Sequence, residues 1–430
     1  MSDSKPRVLA VGHGAAATGF SRVLDSVIQR LSHKYDFHHF ATNHRSERVD
    51  GRWSIYGNPD NQDPNGLERL GHLLDQLKPQ IVLVLNDLWF CCVHAHRLQS
   101  KSNRPALMAY CPVDGELTRP EVYSLLGVFD QVVAYTQFGK RELDKIGFED
   151  EPLGSQCLTK SIEIIPHGVD TEMFFPLEPD DLVDRSAAKR RLFGEREASG
   201  FIVLNAAKHD ARKRLDLTIE GFARFARNKP PDVKLYLHTG ATFDGPDIRE
   251  LARRAGIADR LISTDGWLED HPAVNDEDLN LIYNATDVGI NTSSGEGWGL
   301  ISFEHAATGA PQIVPAHSAC QELWTTVDTV LPIRSEGEHV GLGMLRKFVD
   351  ADDIASILEK LYSSKQFRQE QAQKAYANAT QAAYSWERIA AQWDHLLQRA
   401  ANNPIRSNPN VAGSGTGNRI SLSRPDNTHR

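Results

Sequence analysis

Two glutamates stand in the stretch TSSGEGWGLISFEHAATGAPQIV, which runs from Thr292 to Val314: Glu296 in a glycine-rich loop and Glu304 eight positions later. Paired carboxylates can work as acid and base, or they can accept hydrogen bonds from hydroxyl groups. Helical spacing at about 1.5 Å per residue would part them by about 12 Å, whereas the pair of a glycoside hydrolase stands about 5 to 9.5 Å apart. The spacing lowers the hydrolase reading and favours a division of labour, with one carboxylate on sugar hydroxyls and the other on a ribose diol. Gly295, Gly297 and Gly299 free the backbone for close approach, and the amides of Gly299 and Leu300 can point at phosphate oxygens. Such a set suits a nucleotide-sugar. For Glu304 alone the commoner role is a solvated helix residue.

Two further clusters bear on phosphate. FIVLNAAKHDARKRLDLTIEGF sets Lys208, Arg212, Lys213 and Arg214 just past a buried strand and before a helix, where cations have a reason to stand if a diphosphate is bound. Their bland alternative is a solvated basic turn. VLAVGHGAAATGFSRVL, after the first strand, contains Gly12, Gly14, Ala17 and Gly19. It nearly fits the dinucleotide fingerprint, but the next strand, DFHHFATN, lacks the ribose-binding acid at its end. It also nearly fits a P-loop, but Phe20 stands where the lysine is needed. The structural alternative is a tight strand-to-helix turn. Asp350 and Asp352 in VDADDIASIL form a DxD string that reads as a helix N-cap rather than a metal site.

The elements that must hold these residues follow a βαβ rhythm. RVLAV, GFSRVLDSVIQRLS, DFHHFA, GLERLGHLLDQLK and QIVLVL open it, and ALMAY, DQVVAY and IEIIP continue it. The rhythm restarts with GFIVLNAA and runs through DVKLYLHTG, RLIS, DVGINTS and PQIVP. The expected fold is α/β, with two tandem Rossmann-like, doubly wound domains facing across a cleft and ligands at the carboxyl ends of the strands. The boundaries read as 1–176 for an N-terminal domain, 177–200 for a linker, 201–384 for a second domain, 385–400 for a closing helix and 401–430 for a disordered tail. In LISFEHAAT, Leu300, Phe303 and Ala307 form the apolar face, which puts Glu304 on the exposed side.

Composition narrows the classes. A chain of 430 residues with 40% hydrophobic and 24% charged residues is long enough for two or three domains and has the balance of a globular protein. Its formal net charge of -9 argues against a nucleic-acid partner. Cys91, Cys92, Cys111, Cys157 and Cys320 form neither a CxxC pair nor a disulfide framework, which suggests reduced thiols in a cytoplasmic protein. The sequence contains no run of the roughly 18 apolar residues that a membrane span needs, so membrane contact is expected to be peripheral at most.

Taken together, the motifs resemble the retaining family 4 glycosyltransferases of the GT-B fold. EGWGLISFE matches that family's Glu-x7-Glu motif, IIPHGVDTEMFFP its interdomain signature, RKRLDL its phosphate-binding lysine turn and YSWERIAAQWDHLL its closing helix. The resemblance covers roughly residues 7 to 400. Its implied roles are acceptor binding for the first domain, nucleotide-sugar binding for the second and a return of the closing helix to the first. It implies that Glu296 holds donor-sugar hydroxyls, Glu304 the ribose, and the backbone of Gly297, Trp298, Gly299 and Leu300 the diphosphate. Lys213 matches the family's diphosphate lysine, and Lys208 falls near a position that is often arginine. The loop of Gly14 and Gly19 would face the donor phosphates, and the backbone near Trp267 and Leu268 the base. Many members have a histidine near the reacting sugar. Here the region reads ALMAYCPVDGELTRP, and Asp114 is the candidate, with a turn residue as the alternative. The implied reaction moves a sugar from a UDP- or GDP-sugar to an acceptor hydroxyl with retention, needing neither metal nor cofactor beyond the donor as co-substrate. The acceptor is open: a saccharide, a lipid-linked glycan, a small molecule or a protein. A nucleotide-sugar epimerase and a non-catalytic nucleotide-sugar-binding protein are the competing readings.

Overall fold

The computed structural model describes residues 5–15, 18–49, 51–98, 104–147, 161–240, 246–263 and 274–402. Ala17, Cys157, Trp267, Leu268 and the expected tail from residue 403 onward lie outside them. The chain divides into two compact units, Met1–His167 with Glu338–Met344 and Trp386–Arg430, and Gly168–Gly337 with Leu345–Ser385.

The first unit is built on strands β1 (Arg7–Gly12), β2 (Asp36–Ala41), β3 (Arg48–Val49), β4 (Ser54–Gly57), β5 (Ile81–Leu85), β6 (Ala106–Tyr110), β7 (Gln131–Ala134) and β8 (Glu163–Ile164). Their order across the sheet is β3-β4-β2-β1-β5-β6-β7-β8, with only β3 antiparallel to its neighbour. All five residues of β5 are buried, as a parallel strand covered on both faces requires. Helix α1 (Gly19–Leu31) is capped by Thr18, whose hydroxyl accepts from Ser21 N at 3.2 Å, and buries Val23, Leu24, Val27, Ile28 and Leu31 at helical spacing.

The second unit holds β9 (Phe201–Asn205), β10 (Val233–Leu237), β11 (Leu261–Ser263), β12 (Val288–Ile290), β13 (Gln312–Pro315) and β14 (Val330–Leu331) in the order β11-β10-β9-β12-β13-β14. From β9 the strands proceed outward one way to β10 and β11, and from β12 the other way. The loops after β9 and β12 therefore flank a topological switch point, where ligands of such sheets bind. Among its helices are α2 (Ser186–Phe193), α3 (Leu215–Ala226), α4 (Asp276–Asn284), α5 (Leu300–Ala307), α6 (Ser318–Leu323) and α7 (Ala351–Ser363). Asp350 caps α7 by accepting from Asp352 N at 2.7 Å, so the DxD string is a helix start as its sequence indicated.

The 177–200 linker expectation needs correction, because α2 lies inside it and packs Ala188, Leu192 and Phe193 against Leu281 of α4 and Ala285, the residue that ends that helix. Two cations of this segment are buried. Arg185 donates to the carbonyls of Tyr283 at 2.9 Å and Thr308 at 3.0 Å, at the ends of α4 and α5. Lys189 pairs with Asp287 at 2.7 Å, and Asp287 also accepts from Ile202 N at 2.7 Å.

Candidate functional site

Because β9 and β12 are neighbours, the turn after one meets the loop after the other. Asp210 accepts from Arg212 N at 2.8 Å and folds Ala211–Lys213 into a single 3-10 turn. Ser294 N donates to Arg212 O at 2.8 Å, and Thr292 Oγ1 lies 3.0 Å from Lys213 O and 2.9 Å from Arg214 O. Lys213 Nζ thereby comes to 2.6 Å from Glu296 Oε2 and Arg212 Nη1 to 3.8 Å, while Arg212 also donates to Gly295 O. Glu296 is buried. Burial alone would raise its pKa, but Lys213 and Arg212 outweigh that and hold it down at about 2. The site thus presents a buried, ionised carboxylate, a group suited to accepting hydrogen bonds from hydroxyls.

Of the four cations picked out by position, Lys213 and Arg212 converge on Glu296. Arg214 turns away to Asp216 at 2.7 Å, with its guanidinium over the Phe348 ring, and Lys208 is exposed. Gly299 has φ +94, opens α5 and leaves it without a side-chain cap, so the first-turn N–H groups of that helix, Leu300 included, are not taken up by a capping side chain. Trp298, between Gly297 and Gly299, is buried and stacks on Phe303 at 5.1 Å, which makes its ring part of the packing and leaves its backbone as the part able to meet a ligand.

Glu304 is buried, not on the exposed side as its sequence suggested. α5 is covered on nearly every face, with Ser302 to Ala307 all buried, and Glu304 accepts from the Tyr283 hydroxyl at 3.0 Å. His305 stacks on the same tyrosine and is kept neutral by burial.

In the first unit, Gly14 is packed tightly. A Cβ there would stand 2.5 Å from the His39 ring, and Asn43 grips the residue's N–H at 2.9 Å and its carbonyl at 3.2 Å. Packing alone therefore demands glycine at this position. Gly19 is the first residue of α1 and is exposed. Asp114 is half-buried in the loop after β6. That loop is tied down by Glu142, which accepts from Leu117 N at 2.7 Å. Cys91, Cys92, Cys111 and Cys320 are buried free thiols. Among the described residues no group of three or more His, Cys, Asp or Glu side chains could hold a metal ion, and no helix is long and apolar enough to cross a membrane.

Two residues of the site went unnoticed in the sequence. His317 and Ser318, at the start of α6, bond to both ends of the Glu296 loop: His317 Nε2 lies 2.7 Å from Ser293 O, and Ser318 Oγ 3.2 Å from Glu296 N.

Comparison with known proteins agrees with this architecture. A family model described as glycosyl transferase-like matches residues 247–395. Two tandem doubly wound units define the GT-B fold, and the resemblance to family 4 glycosyltransferases is borne out. Over 163 residues the chain is 32% identical to mannosylfructose-phosphate synthase of Agrobacterium fabrum, an alignment covering 37% of this chain and 33% of that one. The chain spans about a third of the length of the first curated relatives it matches. Among solved structures, sucrose-phosphate synthase from Thermosynechococcus elongatus superposes with a TM-score of 0.70 at 17% identity, covering 92% of this chain and 99% of that one. Anabaena HepE in complex with UDP and glucose gives 0.65 at 15% identity, covering 92% and 100%.

Proposed function

We propose that the chain is a retaining glycosyltransferase that moves a sugar from a UDP- or GDP-sugar to an acceptor hydroxyl. The observation that supports this most is the buried, ionised Glu296 beside Lys213 at the switch point of the second sheet. In this reading Glu296 accepts hydrogen bonds from donor-sugar hydroxyls. Lys213 and Lys208, together with the amides of Gly299 and Leu300, neutralise the diphosphate, and Glu304, oriented by Tyr283, takes the ribose diol. Asp114 stands for the group nearest the reacting carbon.

In the reaction the bond from the anomeric carbon to the diphosphate oxygen breaks, and its electron pair leaves with the diphosphate. The acceptor oxygen forms its bond on the same face, and its proton passes to the departing diphosphate. Preorganised cations lower the barrier by meeting charge as it develops. The UDP and glucose in HepE favour UDP as the first nucleotide to test, and two of the matched proteins are named for sugar-phosphate products, which favours hexose phosphates as the first acceptors.

The test is a panel of UDP- and GDP-sugars with and without hexose phosphates, read as released nucleoside diphosphate, with the product's anomeric configuration taken from its NMR coupling constant. Release that depends on acceptor, retention, and a loss of roughly a hundredfold or more in Glu296→Ala are expected. Donor conversion without acceptor would identify an epimerase, binding without turnover a non-catalytic protein, and an unimpaired Glu296→Ala would remove Glu296 from the donor site.

A further inference from the structure

Ser318 has φ +44, the left-handed region, where a residue with a Cβ pays a conformational cost and glycine does not. Its hydroxyl oxygen lies 3.2 Å from Glu296 N, 3.0 Å from Glu296 O and 2.8 Å from His317 Nδ1. Glu296 O also accepts from Ala319 N at 3.2 Å. The backbone at Glu296 is therefore gripped from behind while its carboxylate faces Lys213 at 2.6 Å.

The histidine sets the direction of this grip. His317 Nε2 lies 2.7 Å from the Ser293 carbonyl, which can only accept, so Nε2 carries the hydrogen. Burial keeps the ring neutral, with its pKa lowered to about 4, which leaves Nδ1 as an acceptor. The Ser318 hydroxyl hydrogen is shared between Nδ1 at 2.8 Å and the Glu296 carbonyl at 3.0 Å, and an oxygen lone pair is left to receive Glu296 N–H. Both residues are buried. A glycine at position 318 would relieve the backbone but would remove this acceptor.

We infer that Ser318, oriented by His317, is a positioning residue that fixes the backbone of Glu296 so that its carboxylate meets the donor sugar. The inference rests on the glycosyltransferase reading of the site. The informative variants are Ser318→Gly, which removes hydroxyl and strain together, and Ser318→Ala, which removes the hydroxyl alone. Ser318→Gly is expected to melt at or above the parent temperature and to bind UDP or GDP as the parent does, while kcat with the full donor falls roughly tenfold or more. Ser318→Ala is expected to lose kcat similarly and to melt lower.

A parent-like kcat in Ser318→Gly overturns the inference, as does a kcat loss matched by a fall in melting temperature. If the parent turns over no nucleotide-sugar, the functional reading fails separately, and hydrogen exchange then tests the grip itself. Exchange should rise roughly tenfold in peptides spanning 292–299 of Ser318→Gly and nowhere else. Unchanged exchange there overturns the inference.

Discussion

At the scale of single residues, the site turns on one carboxylate whose charge is fixed by its surroundings. Glu296 is held at about 2, below its ordinary 4.5, by Lys213 and Arg212 against the opposing effect of burial. A carboxyl whose folded-state pKa is depressed contributes stability that is full above the unfolded value and disappears as pH falls through the folded one. Glu296→Gln should therefore be less stable than the parent near neutrality. The gap in urea midpoint should narrow as pH falls from about 6 to about 3, and a gap independent of pH would refute the ion-pair account. Glu296 and Lys213 could each be singled out from local pattern, because a glycine-flanked acid after a strand and a lysine before a helix both sit where ligands bind. Their direct pairing could not, because it depends on β9 and β12 being adjacent, and strand order is not written in either segment. Nor could the burial of Glu304. An eight-residue helix that is covered on most sides has no exposed face for periodicity to find. Ser318 escaped notice for another reason: its left-handed backbone is a property of the turn, and His-Ser after a strand matches no motif.

At the scale of elements, the strands and main helices followed their hydrophobic periods, and the errors fell where charged residues are buried. SAAKRRLF has the composition of a linker, yet it forms α2 because Lys189 finds Asp287 inside the unit and Arg185 finds the carbonyls that end α4 and α5. Sequence patterns treat such cations as solvated, which is correct for most of them. The consequence for stability is asymmetric. Lys189→Met leaves the Asp287 carboxylate buried and uncompensated, and breaking a pair of this kind costs about 3–5 kcal/mol. Arg190→Ala, one residue along, breaks a pair with Glu195 that is more than half exposed and solvent-screened, and should leave stability nearly unchanged. Urea unfolding of the two variants measures the contrast, and equal effects would mean that the buried pair is already neutralised in the parent.

At the scale of the whole molecule, order along the chain and membership of a core part company. Strand alternation made two doubly wound units legible, since each βαβ step is local. The last helix among the described residues is different. α8 (Trp386–Asn402) belongs to the first unit, some 360 residues from its partners there: Lys34 pairs with Asp394 at 2.5 Å, and the Tyr35 hydroxyl donates to the same carboxylate at 2.8 Å. Trp393 stands edge-on to Tyr110 at 4.9 Å, and Trp386, Ile389, Leu396 and Leu397 are buried with it. Truncating one such aromatic costs about 3–5 kcal/mol, so losing all five side chains exceeds the roughly 5–15 kcal/mol that holds a typical domain together. A chain ended after Ser385 should therefore lose the first unit and keep the second, although the deleted helix is adjacent in sequence only to the second. Hydrogen exchange reads this directly: peptides from β1, β2, β5 and β6 should exchange as unfolded chain, while those from β9, β10, β12 and β13 should keep the protection they have in the parent. Protection lost to the same degree in both sets, or kept in both, would show that α8 is not what completes the first core.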